Sequence, residues 1–583
     1  MKNDTININS NYLDGQKLFI GIKAGINNLF EYKNKLDEIN VFPVPDGDTG
    51  TNMCFTLLPI IEYPDDNIPN HTGEVFNIIA DLALESARGN SGTIIAQFFH
   101  GMRKATKNKE KLYIEDFSKA LSLGYESAID SLMNPQEGTI ITVMRDVSEQ
   151  ANELIKVDKI NFKMFLNECY STAEHSLQNT KKILAILKKT NVVDAGALGF
   201  VLLIQGILNS IQKSSQIQAK HLNISYDHEK IDSLKRGIDF TITNKFCTEC
   251  SIVSLDINRK ELKEMIRHLG DSMVFAGTKD RVKVHIHTNK PGRFFKICNA
   301  YGKVVDEKVD DMTKQEHTVH HVGAGGVAIV VDSGADIPDK YSNEIQVVPV
   351  RYSFGREQHI DGVTQTSSEF YRQMEYDSNH PKTSQPTPGD FKKTYNFISS
   401  HYSSIISIHL SSQVSGTYQS AVNAAKNIKS IKTIDSYSAS VGLGLLAIYA
   451  VDLKESGKSY TEIVSLIDKK KFNTHVFLVL NDMSYVVKGG RVPGKIKTIA
   501  NLFRLRPVLG IKNGKLKARG VLYGKSRMVE KFAMFVTKKM DLNKQYRIMI
   551  AHANSKVNGD KLSELLVSKN SNIEEKFILE LGC

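Results

Sequence analysis

Two aspartates flanking a glycine, Asp46 and Asp48, are the residues of this 583-residue chain best suited to metal chemistry. They lie in the run Asn-Val-Phe-Pro-Val-Pro-Asp-Gly-Asp-Thr-Gly-Thr-Asn at 40–52. Hard cations such as Mg²⁺ take several oxygen ligands, and two loop carboxylates supply charge for one or two ions. Gly50, Thr51 and Asn52 follow at an expected helix start, where amide groups lacking intrahelical partners stabilise phosphate oxygens. A capped turn uses the same residue types, so the run alone leaves both readings open. Repetition favours the site. Similar polar, glycine-containing loops stand before apolar helical segments at 87–93, 137–140 and 194–197. Four such loops suit a rim that holds a polyphosphate.

Two other groups of residues could bind ligands. Cys247 and Cys250 are close in sequence, and His285 and His287 alternate on an expected strand, so both histidines share one face. Cys247 could complete a zinc site with them, the fourth ligand being Cys250, a distant His or water. On spacing alone a solvent-facing His pair with core cysteines is the stronger reading. Near the C-terminus, a polar loop at 382–386, a Ser-rich segment at 411–418 that opens a helix, and His552 after the terminal strand offer hydroxyl and imidazole donors. Such donors at a helix start suit a carboxylate, although Ser and Thr are also the preferred N-caps. The segment Gly-Val-Leu-Tyr-Gly-Lys-Ser at 520–526 has three residues between its glycines where a phosphate-binding P-loop has four. It reads as a turn between strands.

The elements that must carry these residues divide the chain in three. Residues 14–210 show apolar residues recurring at three and four positions, the helical period. A polar stretch at 212–235 leads into a region at 236–320 with short apolar runs, a helix at 260–269 and an alternating strand at 282–287. A Gly/His-rich linker at 317–326 follows. From 327 onward strands and helices alternate as in a βαβ domain with ligand loops at strand ends. The boundaries expected are 1–215, 225–320 and 326–583. Hydrophobic residues make up 41% and charged residues 24%, the balance of a globular protein. The polar first ten residues resemble no secretory signal, no apolar stretch is long enough to span a membrane, and six scattered cysteines form no disulfide framework, so a cytoplasmic location is expected. The net charge of +11 is unevenly spread: 20 Lys+Arg face 26 Asp+Glu in residues 1–200, and 36 face 23 in residues 322–583. Such a division lets the blocks attract each other and does not require nucleic acid as a partner.

The first block resembles the DhaL-type nucleotide-binding domain of dihydroxyacetone kinases and, more closely, the kinase subunit of bacterial fatty acid kinase, through the 40–53 run, Ala-Arg-Gly-Asn-Ser-Gly at 87–92 and Glu-Gly-Thr-Ile at 137–140. The resemblance implies an all-α helical barrel with ATP and two Mg²⁺ at one mouth. Asp46 and Asp48 would hold the metals as the catalytic residues, with Asn40 as a third ligand where dihydroxyacetone kinases have Asp. Thr49, Gly50, Thr51, Asn52, Ser91, Gly92, Gly138, Thr139 and Asp194 would line the nucleotide. The second block is similar to the middle domain of fatty acid kinase, which implies Zn²⁺ at Cys247, His285 and His287. The third resembles the DegV family of fatty-acid-binding proteins, through Val-Asp-Ser-Gly-Ala-Asp at 331–336, Lys-Thr-Ser-Gln-Pro at 382–386, Ser-Gly-Thr-Tyr-Gln-Ser-Ala at 415–421 and Gly-Gly-Arg-Val at 489–492. By that pattern Thr383, Ser415 and His552 bind a carboxylate, with Ser412 a weaker candidate, and Arg491 belongs to a basic docking face. Together these resemblances imply a multidomain fatty-acid kinase transferring phosphate to a carboxyl acceptor. Its partners would be a long-chain fatty acid, a downstream acyltransferase, transient membrane contact and a second copy in a homodimer. Two alternatives remain: a lipid-binding regulator whose nucleotide does not turn over, and a glycerone-type kinase.

Overall fold

The computed structural model describes residues 12–45, 47–212, 242–320, 326–399, 401–480, 484–490, 505–524, 526–541 and 543–582. Asp46, Arg491 and the stretch 213–241 lie outside the described residues. The chain divides into two compact units, Met1–His320 and His321–Cys583.

The first unit begins with helices α1 (Gly15–Glu31), α2 (Lys33–Glu38), α3 (Thr49–Glu62), α4 (Thr72–Ser86) and α5 (Gly89–Thr106). It continues with α6 (Ile114–Ser131), α7 (Ile140–Leu154), α8 (Phe162–Ile183), α9 (Ala185–Thr190) and α10 (Ala195–Gln212). Two-residue strands β1 (Tyr12–Leu13) and β2 (Leu112–Tyr113) pair antiparallel beside them. Asp14 starts α1 by accepting the Lys17 amide at 2.9 Å, and Leu18, Ile22, Ile26 and Leu29 bury one face at helical spacing. Helix α10 is apolar nearly all round, with Leu198, Val201 and Leu202 fully buried, so it runs through the core. Each such side chain contributes roughly 1.5–3 kcal/mol by leaving water.

A four-stranded antiparallel sheet follows, from β3 (Phe246–Val253), β4 (Gly270–Gly277), β5 (Arg281–Thr288) and β6 (Lys303–Asp311), in the order β4-β5-β3-β6. Its apolar face packs on helices Arg259–Ile266 and Pro291–Tyr301 around Ile252, Leu262, Phe275 and Phe294. The expected linker at 317–326 is corrected in its first part. Residues up to 320 belong to the helix Met312–His320, which Asp311 starts by accepting the Thr313 and Lys314 amides at 3.1 and 3.3 Å.

The second unit contains β7 (Val327–Asp332), β8 (Ile345–Val348), β9 (Arg351–Phe354), β10 (Glu357–Ile360), β11 (Lys382–Ser384), β12 (Ser404–His409) and β13 (Ile431–Asp435). After them come β14 (Phe477–Val479), β15 (Leu505–Lys512), β16 (Lys515–Tyr523), β17 (Tyr546–His552) and β18 (Ile573–Glu580). A parallel sheet, β13-β12-β7-β8, has helices on both faces and forms the α/β core. Its βα loops therefore emerge at one edge, where ligands bind in such sheets.

Three local expectations change. The segment 382–386 is a strand at its start, because Thr383 pairs with Tyr352 on β9. The glycine-bounded segment at 520–526 ends β16 and turns, with Gly524 at φ +74°, into helix Met528–Thr537 and not into another strand. The strand before His552 is not terminal: helix Lys556–Lys569 and β18 follow it, and β18 pairs in parallel with β17.

Candidate functional site: a nucleotide rim, a metal cluster and a lipid cavity

The four polar loops of the first unit meet at the starts of α3, α5, α7 and α10. Gly89 sits against Asn52, so close that a Cβ there would lie 2.3 Å from the Asn52 amide nitrogen, and its φ is +58°. A Cβ on Gly196 would lie 3.0 Å from Ser91 Oγ and 3.3 Å from Asp194 Oδ2. Asp194 Oδ2 in turn accepts the Ile140 amide (3.1 Å) and the Ala197 amide (2.7 Å), joining the first turns of α7 and α10. Burial raises the Asp194 carboxyl to about 6 in spite of these two donors. Its role here is a joint between two helix starts.

Several named residues have duties that the sequence did not reveal. Asp37 accepts both the Thr51 amide (2.9 Å) and the Thr51 hydroxyl (2.7 Å), so those two donors are engaged by protein. The Asn52 amide donates to the Asp48 carbonyl at 2.8 Å. Gly50 and Gly92 stand where helices touch, since a Cβ would meet Lys33 O or Thr56 Oγ1 at 2.2 Å. Gly138 has φ +83°, and the Thr139 hydroxyl donates to Gln136 O at 2.7 Å. Thr49 and Asn40 are buried, and Asp48 precedes α3 without capping it through its side chain. Asp48 therefore stands in the loop just before α3, at the rim. Asp37 and Gly89 were missed. Only the packing of α2 and α5 against α3 gives them their roles.

The second group is on the polar face of the middle sheet. Cys247 pairs across strands with His287, and Glu249 with His285. One ligand atom from each of Cys247, His285 and His287 lies within 4.8 Å of the others, and all three side chains are buried. His285 Nδ1 is 3.1 Å from Glu249 Oε1, and its buried Nε2 has no hydrogen-bond partner among the described residues. An imidazole fixed through one nitrogen with the other bare is the arrangement of a metal-ligating His. Burial lowers His287 to about 3, so it is neutral and able to ligate at any ordinary pH. Cys250 is excluded as the fourth ligand: it faces the apolar side, in the core with Ile252 and Cys298. The residues fit zinc, which takes thiolate and imidazole ligands of this kind.

The protonation states carry a prediction. Burial holds the Cys247 thiol well above its ordinary pKa, whereas a metal needs the thiolate. Zinc binding to the metal-free protein should release about one proton near pH 7, and affinity should rise about tenfold per pH unit. Metal analysis should find about one zinc per chain, lost in Cys247→Ser. Calorimetry in buffers of different ionisation enthalpy checks the proton count; a pH-independent affinity would remove Cys247 from the ligand set.

The third group belongs to the second unit. A cavity of about 2530 Å³ is lined by Thr383, Ser415 and His552 together with apolar residues such as Leu445, Val479, Phe532 and Ile550. Ser415 Oγ is 2.8 Å from Thr417 Oγ1 and accepts the Thr417 amide at 3.3 Å, at the start of helix Thr417–Ala425. His552 Nδ1 is buried with no hydrogen-bond partner among the described residues. Ser412 does not join them. It is absent from the lining, and its amide approaches the Asp435 carboxylate at 3.3 Å.

A helical rim of loops, a middle sheet and an α/β cavity domain on one chain define a class of multidomain protein that family models then specify. A DAK2 domain matches residues 43–209, the FakA-like middle domain of fatty acid kinase matches 243–319, and the DegV family matches 326–583. The three matches follow one another along the chain in that order. An uncharacterized protein of Staphylococcus saprophyticus is 34% identical over 318 residues, which are 53% of this chain and 56% of that protein. One of Staphylococcus aureus strain USA300 is 34% identical over 315 residues, 52% and 56% of the two chains. The chain thus spans little more than half the length of these relatives. Among solved structures, a DegV family protein from Thermus thermophilus, described by its fatty acid binding, is 25% identical with a TM-score of 0.41, over 44% of this chain and 93% of its own. A Thermotoga maritima protein described as revealing fatty acid binding function is 27% identical with a TM-score of 0.40, over 44% and 93%. No helix among the described residues is long and apolar enough to cross a membrane.

Proposed function

We propose that this chain uses ATP to phosphorylate the carboxylate of a long-chain fatty acid, giving acyl phosphate and ADP. The observation that carries the reading is the presence, in one chain, of a four-loop helix-start rim and a large apolar cavity with hydroxyl and imidazole donors in its lining. Asp48, with Asp46 and Asn40, would hold Mg²⁺, which neutralises phosphate charge as the bond to the leaving group breaks. The rim loops orient the triphosphate, in the barrel arrangement that the DAK2 domain implies. Thr383, Ser415 and His552 receive the carboxylate.

The reaction asks no general base, because a carboxylate near pH 7 is already ionised. One carboxylate oxygen attacks the γ-phosphorus, the bond from that phosphorus to the β-γ bridging oxygen breaks, and ADP leaves with the electron pair. The tail explains the cavity. Burying each CH₂ is worth about 0.8 kcal/mol, so a chain of ~16 carbons is held by protein or membrane and not by water. The acyl phosphate then goes to an acyltransferase, and the protein works as a cytoplasmic homodimer that touches membranes transiently.

The test is product analysis with the full chain, ATP, Mg²⁺ and palmitate in the presence of hydroxylamine. ADP and palmitoyl hydroxamate should appear in equal amounts. ADP without hydroxamate would discard the carboxyl acceptor, and palmitate retained without any ADP would favour the lipid-binding regulator.

A further inference from the structure

The middle domain grips the loop that precedes α5 with two charged side chains. The Gly89 amide donates to Glu249 Oε1 at 2.9 Å, and Lys283 Nζ donates to the Ala87 carbonyl. Between these contacts the Arg88 amide donates to Thr56 Oγ1 on α3 at 3.1 Å. The backbone at 87, 88 and 89 is therefore held at three successive points, two of them from β3 and β5. Glu249 and Lys283 lie on one face of that sheet, because Glu249 pairs with His285 and Ser251 with Lys283.

Such an arrangement is poorly explained by stability. A buried carboxylate and a half-buried ammonium lose hydration that their pairing only partly returns, and apolar residues of similar volume often stabilise as well or better. Glu249 is 2% exposed. Its Oε1 accepts from the Gly89 amide while Lys308 and His285 stand beside it. What the side chain provides is direction: the one oxygen that Lys308 Nζ and His285 Nδ1 approach, at 3.5 and 3.1 Å, also accepts the Gly89 amide. The segment it holds needs that help. Gly89 is left-handed at φ +58° and is the first residue of α5, so its amide has no partner within the helix. Two residues later Ser91 approaches Gly196, the second residue of α10, at the rim.

We propose that Glu249 and Lys283 are positioning residues for the nucleotide, which makes the middle domain a working part of the nucleotide site. This rests on the reading of the 87–92 loop as a phosphate-facing loop. The domain's sheet sets where the α5 amides point, and a loop released from it has to be ordered by the nucleotide itself, which weakens binding.

The experiment is titration calorimetry of the full-length chain with Mg-ADP, alongside melting of the nucleotide-free protein. Glu249→Gln should weaken Mg-ADP about tenfold, as loss of a charge-assisted hydrogen bond commonly does. Lys283→Met should weaken it several-fold, and Lys283→Arg, which keeps a cationic donor for Ala87 O, should restore much of the loss. Arg281→Ala provides the contrast: it breaks the Arg281–Glu85 pair on the same sheet face without touching residues 87–89, and should leave affinity unchanged. A purely structural role would lower melting temperatures while the folded protein bound Mg-ADP normally. If the parent binds Mg-ADP and Glu249→Gln and Lys283→Met bind it equally well, the positioning role is wrong. If the parent itself does not bind, the nucleotide reading falls and this inference with it. Should Glu249→Gln fail to fold, Lys283→Met and Lys283→Arg decide.

Discussion

Asp48→Ala is expected to lower Mg²⁺-dependent ATP turnover by about a thousandfold or more, because a metal ion at the phosphates supplies several kcal/mol of charge stabilisation. Fatty-acid binding should stay within about twofold of the parent, since Asp48 and the cavity belong to different compact units and share no described partner. The variant should fold. Asp48 does not cap α3 through its side chain, so truncation removes no helix-start hydrogen bond. Its field also contributes to the raised pKa of Lys308, after Asp310, Glu249 and Cys247. The carboxylates of Asp310 and Glu249 remain beside Lys308 in the variant. Turnover as a function of Mg²⁺ concentration is the measurement. A variant restored by raising Mg²⁺ into the millimolar range identifies Asp48 as a metal ligand. A variant as active as the parent at every Mg²⁺ concentration takes Asp48 out of the mechanism.

What could be read from the sequence was what local chemistry determines. The glycine-bearing loops stood out because the same kind of loop recurs before four helices, and the structure brings those at α3, α5, α7 and α10 together. His285 and His287 could be placed on one face by strand alternation alone. Their register against Cys247 and Glu249 could not, because a cross-strand pairing depends on contacts distant in sequence. The same limit hid Asp37: an Asp in a short helix gives no sign that it will take both donors of Thr51. Cys250 misled for a related reason. Three residues from Cys247 on a strand means the opposite face, so closeness in sequence separated the two sulfurs. The Ser-rich segment at 411–418 divided likewise, with Ser415 in the cavity lining and the Ser412 amide donating to Asp435.

Ser415 gives the sharpest test of the lipid site, because its expected defect depends on the ligand's head and not on its tail. Ser415 lines the cavity at a helix start, where a hydroxyl and the neighbouring amides favour a carboxylate. His552 lines it with a buried Nδ1 that lacks a hydrogen-bond partner among the described residues. A bound carboxylate would satisfy that atom when the ring carries its proton there. Hydrogen bonds to a charged group are worth about 1.5–3 kcal/mol each. Ser415→Ala combined with His552→Gln is therefore expected to weaken palmitate binding by about a hundredfold or more, since each 1.4 kcal/mol is tenfold. Methyl palmitate keeps the tail and loses the charge, so its affinity should change by less than about threefold, the apolar contacts being equal in both proteins. The parent should prefer the acid and the double variant should not. Competition against a fluorescent fatty-acid analogue reads both ligands on one protein sample. Equal losses for acid and ester would mean that the substitutions had damaged the cavity as a whole. An undiminished preference for the acid would mean that the carboxylate sits elsewhere. In the predicted case the same double variant should keep the parent's affinity for Mg-ADP, because Ser415 and His552 belong to the second compact unit and the rim loops to the first.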